Sequence, residues 1–160
     1  MMVVVMGVSG VGKTTIGQAL ATALGCEFID ADDLHSPSAR AKMARGEPLS
    51  DEDRAPWLER VASEMRLRLA RGAGAVVACS ALKASYRRVL LFDARIRLVY
   101  LTAPPSVLAA RLRARQGHYM PASLLPSQLA TLEPPADAIV ADATRPVAVV
   151  VAQLQTSLSA

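Results

Sequence analysis

Gly7-Val8-Ser9-Gly10-Val11-Gly12-Lys13-Thr14 fits the spacing G-x-x-x-x-G-K-[ST] in full. Glycines at those offsets let the backbone wrap so that successive N–H groups point inward, a cradle for phosphate oxygens. Lys13 then reaches the β- and γ-phosphates of a nucleotide such as ATP, the Thr14 hydroxyl can ligate Mg2+, and Thr15 lies where the cradle passes into a helix. An apolar run, Met2 to Met6, precedes the loop, and an amphipathic pattern opens at Lys13. The start of that helix adds the positive end of its dipole. An ordinary glycine turn is the plainer alternative, but it does not call for this lysine, hydroxyl, strand and helix together.

The next chemistry-bearing run is Phe28-Ile29-Asp30-Ala31-Asp32-Asp33. At the end of a second strand lying close to the first, Asp30 and Asp32 would both face the phosphate loop. One carboxylate would serve Mg2+ beside Thr14, and the other would accept the proton of an attacking hydroxyl. We assign Asp30 to the metal and Asp32 to the proton, with the exchange of roles left open. A loop start with a helix-capping aspartate is the alternative. Arg111 and Arg115 are four apart, share a helix face, and could close over ATP to neutralise charge during phosphoryl transfer.

Other phosphate-loop proteins fit less well. The chain has no asparagine, so the N-K-x-D motif of guanine-nucleotide switches is absent. An AAA-type ATPase would be longer and would carry a strand ending in Asp-Glu, whereas the third apolar run here ends in Cys79-Ser80.

These residues need a frame. Short apolar runs at Met2–Met6, Glu27–Asp30, Ala75–Cys79, Arg97–Leu101 and Ala138–Ala141 read as buried parallel strands. Helical patterns cover Lys13–Leu24, Pro37–Ala44, Glu52–Arg71, Ala84–Phe92, Pro105–Gln116, Pro121–Leu132 and Pro146–Leu158. Trp57, Val61, Met65 and Leu69 recur every four residues and give the third helix one buried stripe. Alternating strands and helices predict an α/β three-layer sandwich, a five-stranded parallel sheet with helices on both faces. Its one domain, 1–160, would carry a helical insertion at about 31–72 for an acceptor, and a small lid at about 111–125.

Composition narrows the class of partner. Half of the 160 residues are hydrophobic, and no apolar run approaches the roughly 18 that a membrane helix needs. With no export signal recognised, the expected place is cytoplasmic. The net charge of +4 comes with scattered basic residues and only six aromatics, which argues for small anions over nucleic acid. Fifteen arginines stand against three lysines, Lys13, Lys42 and Lys83, so each lysine marks a place where a compact ammonium is needed. Cys26 and Cys79 form no metal pattern and read as reduced, buried thiols.

Several segments together resemble the gluconokinase family, in the branch related to shikimate kinase. They are Met6 to Lys13, Asp30-Ala31-Asp32-Asp33-Leu34-His35, Lys42 to Leu49, Asp51-Glu52-Asp53-Arg54, Pro56-Trp57-Leu58, Cys79-Ser80-Ala81-Leu82-Lys83 with Tyr86-Arg87, Gly117-His118-Tyr119-Met120, and Leu124 to Glu133. The resemblance implies transfer of the ATP γ-phosphate to the 6-hydroxyl of D-gluconate, giving 6-phosphogluconate and ADP in a catabolism that feeds the pentose phosphate pathway. It also implies a homodimer. Gluconate is a carboxylate with a row of hydroxyls, and Arg54 is the best guanidinium for the carboxylate. Asp32, His35, Ser80, Lys83, Arg87 and His118 complete the expected acceptor site. Trp57 reads as a core anchor, and Lys42 either lines the site or pairs with an acid.

Three positions depart from the family pattern. Ala39 stands for an asparagine, Leu129 for a phenylalanine, and Pro126 for a residue other than proline. Loss of the amide at Ala39 predicts weaker acceptor binding, and Pro126 predicts altered lid geometry. A related acceptor such as shikimate or another sugar acid is the runner-up within the class. A nucleotide-binding regulatory protein without phosphotransfer is the alternative outside it, disfavoured by Lys13, Thr14, Asp30 and Asp32.

Overall fold

The computed structural model describes residues 1–115 and 121–160. Its centre is β1 (Met2–Met6), all five residues buried. The pleat sends successive side chains to opposite faces, so one strand feeds two cores. Val3 and Val5 pack beneath α1 (Lys13–Leu24), α5 (Pro105–Ala114) and α7 (Val147–Ser159). Met2, Val4 and Met6 pack beneath α3 (Asp51–Ala70) and α4 (Ala84–Leu90). The expected stripe of α3 is buried, Trp57, Val61, Met65 and Leu69, with Leu58 and Ala62 beside it. Among the described residues no helix is long and apolar enough to cross a membrane.

The sheet is five-stranded and parallel, in the order β2-β3-β1-β4-β5. The other strands are β2 (Glu27–Asp30), β3 (Ala75–Ala78), β4 (Ile96–Thr102) and β5 (Ile139–Asp142). This corrects the expectation that the second strand lies close to the first, because β3 is inserted between them. Asp30 is in register with Ala78, and Ala78 with Val5. A carboxylate on β2 therefore has a whole strand to cross before it reaches the phosphate loop.

The chain closes that gap by bringing α1 down onto β2. Gly17 is the point of contact: a Cβ there would sit 2.7 Å from Cε2 of Phe28. The bare backbone lets the helix settle on the ring, and at its N-terminus the Thr14 hydroxyl donates to Asp30 Oδ2 at 3.1 Å.

Between β2 and β3 the chain forms a 3-10 turn (Ala31–Leu34), α2 (Pro37–Ala44) and α3. Ser50 caps α3 in a reciprocal box with Asp53: each side chain accepts the other's backbone N–H. Lys42 pairs with the same Asp53 at 2.8 Å and ties α2 to α3, so of its two expected roles it takes the structural one. The last expected helix pair is partly different. A 3-10 turn (Ala122–Leu124) leads into α6 (Leu125–Thr131), with Pro126 in its first turn, where a missing amide costs nothing.

Gly17→Ala separates the two effects of that glycine. In an exposed helix the change gains about 1 kcal/mol from propensity, while forcing a ring out of a packed site costs about 1–3 kcal/mol. A net loss of about 1 kcal/mol is expected, read from the urea midpoint. In a Phe28→Leu background the same substitution is expected to become stabilising; if it stays destabilising, the contact with Phe28 is not what excludes a side chain.

Candidate active site

The phosphate loop runs from the end of β1 into α1. Gly10 and Gly12 hold left-handed φ values of 88° and 102°, which a side chain adopts only under strain. At Gly10 a Cβ would also meet Leu112 Cγ at 3.0 Å. Gly12 occupies the N-cap position without a side-chain cap, so the first amides of α1 are presented to the loop's interior. Lys13 folds back and donates to the Val8 carbonyl at 3.1 Å. Burial pushes its pKa down, against the pull of Asp32, while Arg115 lowers it further.

Asp30 has two partners. Its Oδ2 accepts from Thr14 and its Oδ1 accepts the Asp32 amide at 3.0 Å, so the carboxylate caps the 3-10 turn and faces the loop at once. Burial and the neighbouring Asp32 raise its pKa. A hydroxyl and a carboxylate side by side are hard oxygen donors of the kind Mg2+ takes, usually one or two from protein with water and phosphate oxygens completing the shell. The pair fits that ion.

Asp32 sits in the turn itself, one wall of a cleft bordered by Ser9, Lys13, His35, Arg54, Trp57 and Ser80 together with Met43, Leu49, Leu82 and Gln128. The cleft brings together five of the acceptor and catalytic residues expected from sequence: Lys13, Asp32, His35, Arg54 and Ser80. His35 stacks on Trp57 at 4.1 Å between ring centroids. Burial, then Arg40, Arg54 and Arg60, lower its pKa to about 4. It is a neutral ring at physiological pH. Trp57 is the anchor expected, its indole N–H donating to the Ala31 carbonyl at 2.6 Å.

Three expectations are corrected. Arg87 does not reach the cleft. It is buried, and its Nη1 donates to the carbonyls of Ala81 and Leu82 at 2.9 and 3.1 Å. Ala81 has φ 46°, a left-handed residue that is not glycine, and Arg87 holds this strained turn so that Ser80 and Leu82 border the cleft. Lys83 also stands outside, paired with Asp51 at 3.0 Å. Ala39 packs against Met43, Leu49 and Leu124 and does not border the cleft. The structure thus places position 39 in a small apolar cluster and not on the lining where an acceptor contact was expected.

Arg111 and Arg115 border a second depression with Gly10, Gly12, Thr15 and Arg145, behind the phosphate loop. Arg111 donates to the carbonyls of Val11 at 3.0 Å and Ala143 at 2.7 Å. Arg115 follows the last residue of α5. His118 and the other residues of 116–120, a third of the expected lid, lie outside the described residues. Cys79 is buried, which pushes its thiol up to about 12, whereas Cys26 is only half-buried, unlike the expectation.

Gln128 stands in a family-like segment without an expected role; its Oε1 accepts the Ser9 amide at 2.6 Å. Glu133, in the same segment and also without an expected role, accepts the Ala84 amide at the start of α4 at 3.0 Å. Neither belongs to a pattern that periodicity or spacing would single out.

Comparison with known proteins agrees with this geometry. The AAA domain model, a phosphate-loop family, matches residues 2–135. The model carries the AAA name, while β3 runs into Cys79 and Ser80 without the acid pair expected of an AAA-type ATPase. The gluconokinase of Gluconobacter oxydans (strain 621H) is 54% identical over 84% of this chain and 76% of that relative. The thermosensitive gluconokinase of Escherichia coli (strain K12) is 42% identical over 82% and 71%. A sugar kinase from Janibacter superposes with a TM-score of 0.92 at 46% identity, covering 99% of this chain and 94% of its own. A gluconokinase from Sinorhizobium meliloti 1021 does so at 0.86 and 44%, covering 99% and 91%. Shikimate kinase from Aquifex aeolicus, at 0.65 and 17% over 99% and 96%, shares the fold. With the phosphate loop, the Asp30–Thr14 pair and these identities in hand, the chain belongs to the gluconokinase family of P-loop kinases.

Proposed function

We propose that this protein transfers the γ-phosphate of ATP to the 6-hydroxyl of D-gluconate, giving 6-phospho-D-gluconate and ADP. The observation that carries the reading is one cleft with Lys13 and Asp32 at the phosphate loop and a guanidinium, Arg54, also on its lining. An acceptor with a carboxylate at one end and a hydroxyl at the other fits that arrangement of charge. The relatives named gluconokinase, at 42% and 54% identity, support the acceptor. The likeness to shikimate kinase, at 17% identity, supports the fold only.

In this reading the loop amides and Lys13 hold the phosphates. Asp32 accepts the proton as the hydroxyl oxygen bonds to the γ-phosphorus and the bond to the bridging oxygen breaks. Thr14 and Asp30 would hold Mg2+, which when bound supplies positive charge against the phosphate oxygens. Arg54 pairs with the acceptor's carboxylate. Arg111 and Arg115 lie on the nucleotide side, Arg111 shaping the loop through Val11. His35, neutral and stacked on Trp57, offers polar ring atoms without adding charge.

ADP release measured across D-gluconate, shikimate and other sugar acids tests the assignment. D-gluconate is expected to give the highest kcat/KM; clear preference for another acid overturns it. Asp32→Asn is expected to lower kcat by roughly 10²-fold or more with KM for ATP little changed. Lys13→Ala is expected to abolish turnover in a folded protein.

Burial of His35 also predicts a pH effect on stability. Its folded pKa of about 4 lies below the 6.5 of a free histidine, so between those values the unfolded chain binds the proton and the folded one does not. Stability is therefore full above pH 6.5 and falls as pH drops towards 4, by about 3 kcal/mol from this group. His35→Phe keeps a ring on Trp57 and is expected to flatten that part of the curve, read from urea midpoints between pH 4 and 7.

A further inference from the structure

Arg54 is held by one nitrogen. Its Nη1 donates to the Leu49 carbonyl and to the Tyr86 hydroxyl, the latter at 3.2 Å. Among the described residues no protein oxygen accepts from its Nε or Nη2. A carboxylate binds guanidinium through two parallel N–H groups. With Nη1 engaged, the edge formed by Nε and Nη2 is the one left for such a pair, on a residue that borders the cleft.

The Tyr86 hydroxyl is itself fixed. It donates to Asp51 Oδ1, which leaves its oxygen lone pairs for Arg54. The hydrogen bonds from Tyr86 and Lys83 hold the Asp51 carboxyl below its usual range. Burial, then Asp51, raises the Tyr86 pKa. Asp51 is thus ionised and Tyr86 neutral, so the direction of the chain Tyr86 to Asp51 is set. Lys83 donates to both Asp51 oxygens, at 3.0 and 3.2 Å. The same carboxylate therefore orients the tyrosine and keeps a second cation occupied outside the cleft. The Tyr86 ring is buried, with Arg54 Cζ 5.4 Å from its centroid.

From this geometry we propose that Tyr86 is the positioning residue for acceptor recognition: it turns the Nε–Nη2 edge of Arg54 towards the acceptor's carboxylate, with Asp51 fixing the hydroxyl that does so. The inference rests on the reading of Arg54 as the carboxylate's partner. It adds a specificity-determining residue that never touches the substrate. Because the contact lies on the acceptor side, its loss acts on binding of the acid and not on the phosphate loop.

The test is a cycle of four enzymes, wild type, Tyr86→Phe, Arg54→Leu and the double variant, each measured for KM of gluconate, KM of ATP and kcat. Tyr86→Phe removes one hydrogen bond and is expected to raise KM for gluconate about 5- to 10-fold, with KM for ATP and kcat within about twofold. In the Arg54→Leu background, Tyr86→Phe is expected to add nothing, since there is no guanidinium left to orient. An unchanged KM in Tyr86→Phe, or a full additional loss in the double variant, overturns the proposal. Asp51→Asn, at an exposed carboxylate that leaves the ring's packing intact, is the second probe should Tyr86→Phe fold poorly. It is expected to raise KM for gluconate in the same selective way, and no change there counts against the proposal. If Arg54→Leu itself leaves KM for gluconate unchanged, the underlying role of Arg54 fails. If it raises KM while Tyr86→Phe does not, only the role of Tyr86 fails.

Discussion

A loop that turns its amides inward to hold an anion must turn carbonyls outward, and those carbonyls need donors of their own. Here the donors come from cations drawn from different parts of the chain. Lys13 reaches back to Val8, and Arg111 reaches from α5 to Val11 and on to Ala143 beyond β5. Gln128 meets the loop from α6, accepting the Ser9 amide. The phosphate loop is thus the hub to which α5, α6 and the end of the sheet are fastened. Its glycines carry part of the same constraint: Gly10 lies so near Leu112 that α5 packs on bare backbone.

Much of the frame was legible from pattern alone. The bounds of β1, β2, α1 and α2 follow from apolar runs and caps, because continuous burial and a helical period leave distinct traces. The order of the strands left no such trace. Every strand of a covered parallel sheet has an apolar stretch, so hydropathy tells that a strand is buried and not which neighbour it has. Placing β2 beside β1 gave the right proximity of Asp30 to Thr14 for the wrong reason. The true reason is a close approach of α1 at Gly17, a contact between residues eleven apart that only the fold makes visible.

The site was legible where chemistry and spacing coincide, and illegible where a residue's role depends on what surrounds it. Lys13, Thr14, Asp30 and Asp32 have roles tied to a motif or to the strand end. Arg87 and Lys83 looked like acceptor ligands because they are cations in a family-like segment. Burial turned one onto the strained Ala81 turn, and an ion pair took the other to Asp51. Ala39 looked like a lost contact because it follows His35 by one helical turn, but α2 rotates it onto Met43 and Leu49. Gln128 and Glu133 are single polar residues on α6 and just past it, with partners 119 and 49 positions away. No sequence window holds both ends of such a contact.

One titratable group of the cleft, His35, is kept neutral. Asp32 and Arg54 lie on the lining of one cleft, and a histidine between elements of opposite charge would blur that contrast if it could protonate. It does not, because burial and three arginines keep His35 neutral at any pH near 7. Lys83 is neutralised by Asp51 and Lys42 by Asp53 before either can add to the cleft. Each pair also fastens secondary structure, one joining α3 to α4 and the other α2 to α3. On the proposed reading, structural ion pairing and acceptor selectivity are one arrangement: Lys42 and Lys83, which hold the insertion together, are withheld from the acceptor, and Arg54 is left to pair with its carboxylate while Lys13 serves the phosphates. On the proposed reading, that is what makes a single carboxylate on the acceptor sufficient to orient it, with its far hydroxyl towards Asp32.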